Sequence, residues 1–265
     1  MTGAPLTEKE ILEIRERIGP KGLALVRQAS DLRLMSGGQI QAIYFPSEEH
    51  SSGEAAARQC RRVLSHLVRG HLLTRLERRV GGVRAGSTSF VYGLGSVGHR
   101  LLERERPRPQ IFEPSAAFVD HQLAVSQLVV DLVLASRLRK LELTTVEGEP
   151  NCWRRLPTVG RALLRPDLFL ALAAREYEYR WFVEVDCGTH RRPALVRKAR
   201  LYESYYRSGV EQATYGVFPR VVWIAPDADR AERLRDVLAG SEFTPGLMVV
   251  TTSDEARLVL AGGKA

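Results

Sequence analysis

Cysteine is scarce in this sequence. Its 265 residues hold three, Cys60, Cys152 and Cys187, widely separated and odd in number. That pattern gives no zinc-ligand spacing and points to a reducing compartment. No run of 18 uncharged apolar residues occurs, so no membrane span is expected. The opening stretch "MTGAPLTEKEILE" is acidic, where a signal peptide is basic and then apolar, so a cytoplasmic location is expected. No glycine-rich loop joins a first strand to a helix, and a Walker-A lysine motif is missing. Both absences argue against nucleotide-binding folds. No serine sits in a nucleophile elbow, and the isolated "GLGSVG" reads as the exit of a hairpin.

What is present suits a globular chain. Apolar residues make up 44% and charged residues 26%, enough to build a core and cover it, in two modest domains or one large one. The net charge of +8 is unevenly spread. Residues 1–110 contain 18 basic and 11 acidic side chains, whereas 111–265 contain 21 and 20, so the positive excess sits in the first part. A local basic bias predicts a polyanion partner, the alternative being a solubilising surface.

Thr7 and Glu10 have the spacing of a capping box for a helix over about 8–17, interrupted by Gly19-Pro20. "KGLALVRQASDLRLM" predicts a second helix, and "GGQIQAIYF" a short one ended by Pro46. From Glu54 to about Arg69, Ala57, Cys60, Val63, Leu64, Leu67 and Val68 recur at helical spacing. "HLLTRLERRV" and "STSFVYGLG" then read as two strands around the loop "GGVRAG", followed by a helix in "SVGHRLLERE". This is the order of a winged helix-turn-helix. Between Arg58 and Arg84 lie eight arginines and one acid, Glu77. Arg58, Arg61 and Arg62 are assigned to the exposed surface of a recognition helix, and Arg78, Arg79 and Arg84 to the wing. The bland alternative is a winged helix used for dimerisation or protein contact.

"RERPRPQIFEPS" reads as a stiff linker. The predicted boundaries are a DNA-binding domain over 1–104, a linker over 105–115 and an α/β domain over 116–265. The last opens with an amphipathic helix over about 118–139. "LELTTVE", "RPDLFLALAA" and "YEYRWFVEVD" follow as strands, with "NCWRRLPTVGRALLR" as an irregular connection. A helix in "PALVRKARLYESYYRSG", an apolar strand in "FPRVVWIAP", a helix, a strand in "GLMVVTT" and a short helix complete it. Antiparallel strands followed by crossover units predict a mixed sheet flanked by helices.

Glu184 and Asp186 share one side of an otherwise apolar strand, where like charges need a cation, water or solvent. If the strands of Asp167 and Glu184 form a hairpin, all three carboxylates converge at one sheet edge. Their oxygens suit magnesium or manganese, and Lys198 on the next helix would add a positive charge near a phosphate. The competing reading is an ion network with Arg180, Arg191 or Arg192. Tyr202 lies one turn beyond Lys198 on the same helical face.

"RPD" and "EVD" resemble the PD-(D/E)xK nuclease superfamily, with Asp167 and Glu184 in the places of its metal-binding acids. That superfamily carries a lysine two positions beyond the second acid. Asp186 stands there, and Lys198 suits the role of a lysine moved to the helix, as in some members. Glu142, Glu147, Glu149 or Asp131 would supply a further acid. More widely, "RVLSHLVRGHLLTRL", "FVYGLGSVGHRLL", "DHQLAVSQLVVDL", "RPDLFLAL", "RWFVEVDCGT" and "KARLYESYYRSG" resemble the actinobacterial replication-relaxation family. The resemblance implies a winged-helix region joined to a nuclease-like one, in proteins linked to plasmid replication, DNA relaxation or mobile elements. Tyr202, Tyr205 and Tyr206 invite comparison with a relaxase nucleophile, but the clustered histidines that relaxases use are missing; packing is the better reading. His121 and His190 are expected to cap or pack.

The expected function is therefore duplex DNA binding in replication, transfer or regulation of a plasmid, linear replicon or mobile element. The alternatives are a magnesium- or manganese-dependent endonuclease or nickase, with Asp167, Glu184, Asp186 and Lys198 at its centre, and a transcriptional regulator or non-catalytic scaffold. A homodimer and replication or transfer proteins are the further partners to consider; a membrane is not expected.

Overall fold

The computed structural model describes residues 6–76, 90–102, 114–157, 162–189, 191–239 and 243–263. It divides into two compact units, 1–126 and 127–265.

In the first unit, helix α1 (Glu8–Leu32) starts at a capping box: the Glu10 N–H donates to Thr7 Oγ1 at 3.3 Å, and the Thr7 N–H to Glu10 Oε2 at 2.8 Å. The predicted interruption is a kink at Gly19, whose φ of 64° precedes Pro20. Arg33, also at a positive φ of 64°, ends the helix. Strand β1 (Leu34–Ser36) follows, where the sequence reading continued the helix. Its apolar residues do not break the helical period; the turn at Arg33 does. Ser36 then caps α2 (Gly37–Tyr44) in a second capping box with Gln39. Helix α3 (Gly53–Arg69), capped by Ser52, buries Ala56, Cys60, Leu64 and Leu67, spaced at i, i+4, i+8 and i+11. Strands β2 (Leu73–Leu76) and β3 (Val91–Leu94) pair antiparallel, and β3 also pairs with β1, giving the order β1-β3-β2. Helix α4 (Ser96–Leu101) comes next.

Helix α5 (Ala116–Arg137) crosses the division between the units. In the first unit its Ser126 hydroxyl donates to the Leu34 carbonyl at 2.6 Å, and Gln39 Nε2 donates to the Leu123 carbonyl at 2.9 Å. The compact division thus falls after Ser126; most of the stretch 105–115 lies outside the described residues. By length and composition α5 is apolar enough to cross a membrane, with a mean hydropathy of 1.4, despite Asp120 and Asp131. Forty-four per cent of its most apolar 18-residue stretch is buried.

The second unit is a mixed five-stranded sheet ordered β10-β9-β8-β7-β4. Its strands are β4 (Glu142–Gly148), β7 (Leu168–Ala174), β8 (Tyr177–Val185), β9 (Arg220–Ala225) and β10 (Met248–Thr252). The first three pair antiparallel, and β8, β9 and β10 pair parallel. The irregular connection forms a small hairpin of β5 (Arg154–Arg155) and β6 (Leu163–Leu164). Helices α6 (Arg192–Ser208), α7 (Val210–Tyr215), α8 (Ala228–Ala239) and α9 (Ala256–Leu260) complete the unit. The sequence reading lacked α7, a single short turn set off from α6 by Gly209 in the left-handed region. One core joins Phe169, Phe182, Val221 and Trp223 of the sheet to Leu195, Ala199, Tyr202 and Tyr205 of α6 and Leu234 of α8. Phe182 sits at its centre, with ring centroids 5.7–5.8 Å from those of Phe169, Tyr202 and Phe218.

Gly98 in α4 tests the packing of the first unit. A Cβ there would lie 2.3 Å from the Leu72 carbonyl oxygen and 2.7 Å from Leu94 Cδ1. Gly98→Ala is expected to destabilise the protein by about 1–3 kcal/mol. A Cβ on Gly38, in α2, meets nothing nearer than the Ser36 hydroxyl at 3.8 Å. Gly38→Ala is expected to range from neutral to about 1 kcal/mol stabilising. Thermal or denaturant melts of the two variants check the contrast.

Candidate functional site

On α3 the apolar stripe faces inward, which leaves Arg58, Gln59, Arg61, Arg62, Ser65, His66 and Arg69 exposed. Arg58 pairs with Glu54 at 3.2 Å, both side chains being more than 70% exposed. Such a surface pair holds the guanidinium only weakly. Arg62 donates to Gln59 Oε1 at 3.0 Å. Among the described residues Arg61 has no hydrogen-bonded or ion-paired partner to give up before meeting an anion. Arg75 on β2, which the sequence reading passed over, is exposed and stacks over Phe90 at 4.3 Å. Its signal was an arginine at the outward position of a short strand. Arg78, Arg79 and Arg84 lie outside the described residues.

In the second unit, β8 alternates. Phe182 and Glu184 project toward α6, and Glu184 is only 3% exposed. Lys198 and Tyr202, four residues apart on one face of α6, both reach this carboxylate. Lys198 Nζ donates to Oε2, and the Tyr202 hydroxyl donates to Oε1 at 2.5 Å. Burial pushes the Glu184 carboxyl up to about 8, against the pull of Lys198. Burial alone would lower Lys198, but Glu184 and then Asp167 outweigh it and raise the amine to about 12. Burial and then Glu184 hold the Tyr202 phenol well above its usual range, so it stays a hydrogen-bond donor.

Asp167 stands just before β7. Its N–H donates to the Val183 carbonyl at 3.0 Å, and its Oδ2 accepts the Val185 N–H at 2.7 Å. It extends the β7–β8 ladder and adds negative potential at Glu184. Asp186, 3% exposed, turns to α8 instead: Arg230 Nε donates to its Oδ2 at 2.5 Å. Sequence reasoning had no means of finding this pair, because 44 residues separate its members. Of the upstream acids, Glu147 pairs with Arg154 at 3.5 Å and Asp131 accepts from Gln127 at 2.9 Å.

The three carboxylates of the predicted metal site meet different donors in this structure: Asp167 the Val185 N–H, Glu184 Lys198 and Tyr202, and Asp186 Arg230. Both Glu184 oxygens face protein donors, and Asp186 is engaged by a guanidinium. Among the described residues no group of three or more histidine, cysteine, aspartate or glutamate side chains is placed to hold a metal ion. The structure brings Glu184 and Lys198 into contact, with Asp167 near enough to act on both, and engages Asp186 with Arg230 of α8. Cys60 and Cys152 are buried, and burial raises both thiols, Cys60 to about 11, so neither is an activated nucleophile.

Glu184 carries a pH signature. Its folded-state value of about 8 lies above the usual 4.5, so the folded protein holds the proton more tightly than the unfolded chain. That contribution is complete below about pH 4.5 and is lost as pH rises through 8. Lys198, raised from 10.5, changes only above this window. The stability of the wild type relative to Glu184→Gln is expected to fall between pH 5 and 9 in denaturant titrations. Parallel curves for the two proteins would show that the carboxyl does not titrate there.

No curated protein and no solved structure matches the chain. A family model described as replication-relaxation matches residues 27–221, which reach from α1 into β9 and take in α3, Asp167, the Glu184–Lys198 pair and Tyr202. Since that match covers well over half of the sequence, the chain belongs to the replication-relaxation family.

Proposed function

We propose that the protein binds double-stranded DNA through α3 and acts in the replication, transfer or regulation of a plasmid, linear replicon or mobile element. The observation that carries this reading is the division of α3 into an apolar stripe and an outward face bearing Arg58, Arg61, Arg62 and Arg69. The order α1-β1-α2-α3-β2-β3, with a three-stranded antiparallel sheet, supports a winged helix-turn-helix. In such a module the third helix enters the major groove, and guanidinium groups meet phosphates and base edges.

For the second unit we favour a nuclease-like fold that serves as a non-cleaving platform. Helix α5, the meander β4-β7-β8, helix α6 and strand β9 follow the α-β-β-β-α-β order of the PD-(D/E)xK core. Asp167, Glu184 and Lys198 occupy matching places. The engagement of Glu184 by Lys198 and Tyr202, and of Asp186 by Arg230, supports a role in binding over magnesium- or manganese-dependent cleavage.

Two experiments test these readings. Substituting Arg58, Arg61 and Arg62 together by alanine is expected to lower duplex affinity at least tenfold. It should also reduce the slope of log affinity against log salt by about two to three, since each lost phosphate contact removes about 0.9. Affinity and slope that do not change would refute the assignment of α3. Incubation of the pure protein with supercoiled DNA and magnesium or manganese is expected to leave the plasmid intact. Nicking that disappears in both Asp167→Ala and Glu184→Ala would establish the enzyme instead.

A further inference from the structure

The basic and acidic side chains of residues 111–265 nearly balance, 21 against 20, yet the fold does not mix them evenly. Helix α6 carries Arg192, Arg197, Lys198, Arg200 and Arg207 and a single acid, Glu203. That acid is turned inward: it is buried and accepts from the Thr244 N–H at 3.0 Å, the Thr244 hydroxyl at 2.7 Å and Arg207 Nε at 2.6 Å. Lys198 faces the opposite way from the arginines and is committed to Glu184. Arg197, Arg200 and Arg207 recur at i, i+3 and i+10, which places them along one stripe of the helix. All three are exposed, as are Arg191 and Arg192 at its start.

Among the described residues no acid pairs with Arg191, Arg192, Arg197 or Arg200. Their neighbours one turn away on the helix include one acid, Glu203, three residues beyond Arg200, and it is buried and engaged by Thr244 and Arg207. An ordinary solvated helix face interleaves opposite charges at i and i+4. This one concentrates positive charge over about 22 Å of helix, at 1.5 Å per residue from Arg192 to Arg207. The acids of α8 that face solvent, Asp229, Glu232 and Asp236, lie on a different helix with their own basic neighbours Arg233 and Arg235.

We propose that the outward face of α6 is a second DNA-binding surface, on which Arg192, Arg197, Arg200 and Arg207 contact the phosphate backbone of a duplex. The proposal rests on the duplex-binding reading given above and extends it to the second unit. Guanidinium groups suit phosphate oxygens because their donors form a planar fork. Contacts to phosphate oxygens carry no sequence information, so the contact adds affinity without sequence preference. It also gives the nuclease-like unit a function that needs no cleavage.

The test uses the full chain and two blunt duplexes of about 25 base pairs with unrelated sequences, titrated by fluorescence anisotropy over a range of salt. Arg192, Arg197 and Arg200 are changed together to glutamine; Arg207 is kept because it also holds Glu203. The glutamine variant is expected to lose at least tenfold in affinity at low salt, equally for both duplexes. Its salt slope should fall by about two to three. The corresponding lysine variant keeps the charge and is expected to retain most of the slope, which a merely structural role would not predict. An unchanged slope in the glutamine variant, or an equal loss in the lysine variant, overturns the proposal. Loss of binding in the α3 variant with none in the α6 variant leaves the α3 reading standing and removes this one. The reverse pattern does the opposite.

Discussion

A carboxylate buried inside an aromatic core sets the terms for the second unit. Glu184 sits at the far end of β8 among Phe182, Tyr202 and Trp223, where water cannot solvate it. Such a group is tolerated only when it keeps its proton or has partners in good geometry. Both partners come from one helix, at positions 198 and 202. The contact therefore fixes the rotation of α6 about its axis as well as its distance from the sheet. Once Lys198 and Tyr202 point inward, the helical period sends Arg197, Arg200 and Arg207 outward. The inner hydrogen-bonded contact and the outer arginine stripe are two consequences of one constraint.

Among its described residues the first unit reaches a comparable result without a buried carboxylate, lysine or arginine. Its first three helices begin at side-chain caps, Thr7, Ser36 and Ser52, each closing orphan N–H groups at low cost. The apolar stripe of α3 then decides which of its residues meet solvent. A helix that buries Ala56, Cys60, Leu64 and Leu67 must expose the arginines between them. Amphipathicity positions the basic face here, as ion pairing does in α6.

How much of this was legible in the sequence depended on distance along the chain. The capping box at Thr7, the kink at Gly19-Pro20, the stripe of α3 and the Lys198–Tyr202 spacing are local patterns. Each follows from a period or a cap. Strand β1 was hidden because Leu34 and Met35 continue the apolar run of α1, and only the backbone turn at Arg33 separates them. The Asp186–Arg230 pair left no local trace, since it forms between a strand end and a helix that meet only in the folded sheet. Reading Asp186 with Glu184 from their spacing could not reveal that each would find a cation on a different helix. The arginine stripe of α6 was obscured differently: near-equal totals of acids and bases concealed the concentration of arginines on this one helix.

The change from antiparallel to parallel pairing at β8 has a consequence for the order of assembly. Strands β4, β7 and β8 form a meander whose contacts are close in sequence. Pairing of β8 with β9 must wait for the chain from Asp186 to Pro219, with α6 and α7, to fold back across the sheet. Long-range closure of this kind is entropically costly and slow. The side chain of Glu184 is accordingly hydrated while the meander forms, and it leaves water only when that crossover docks.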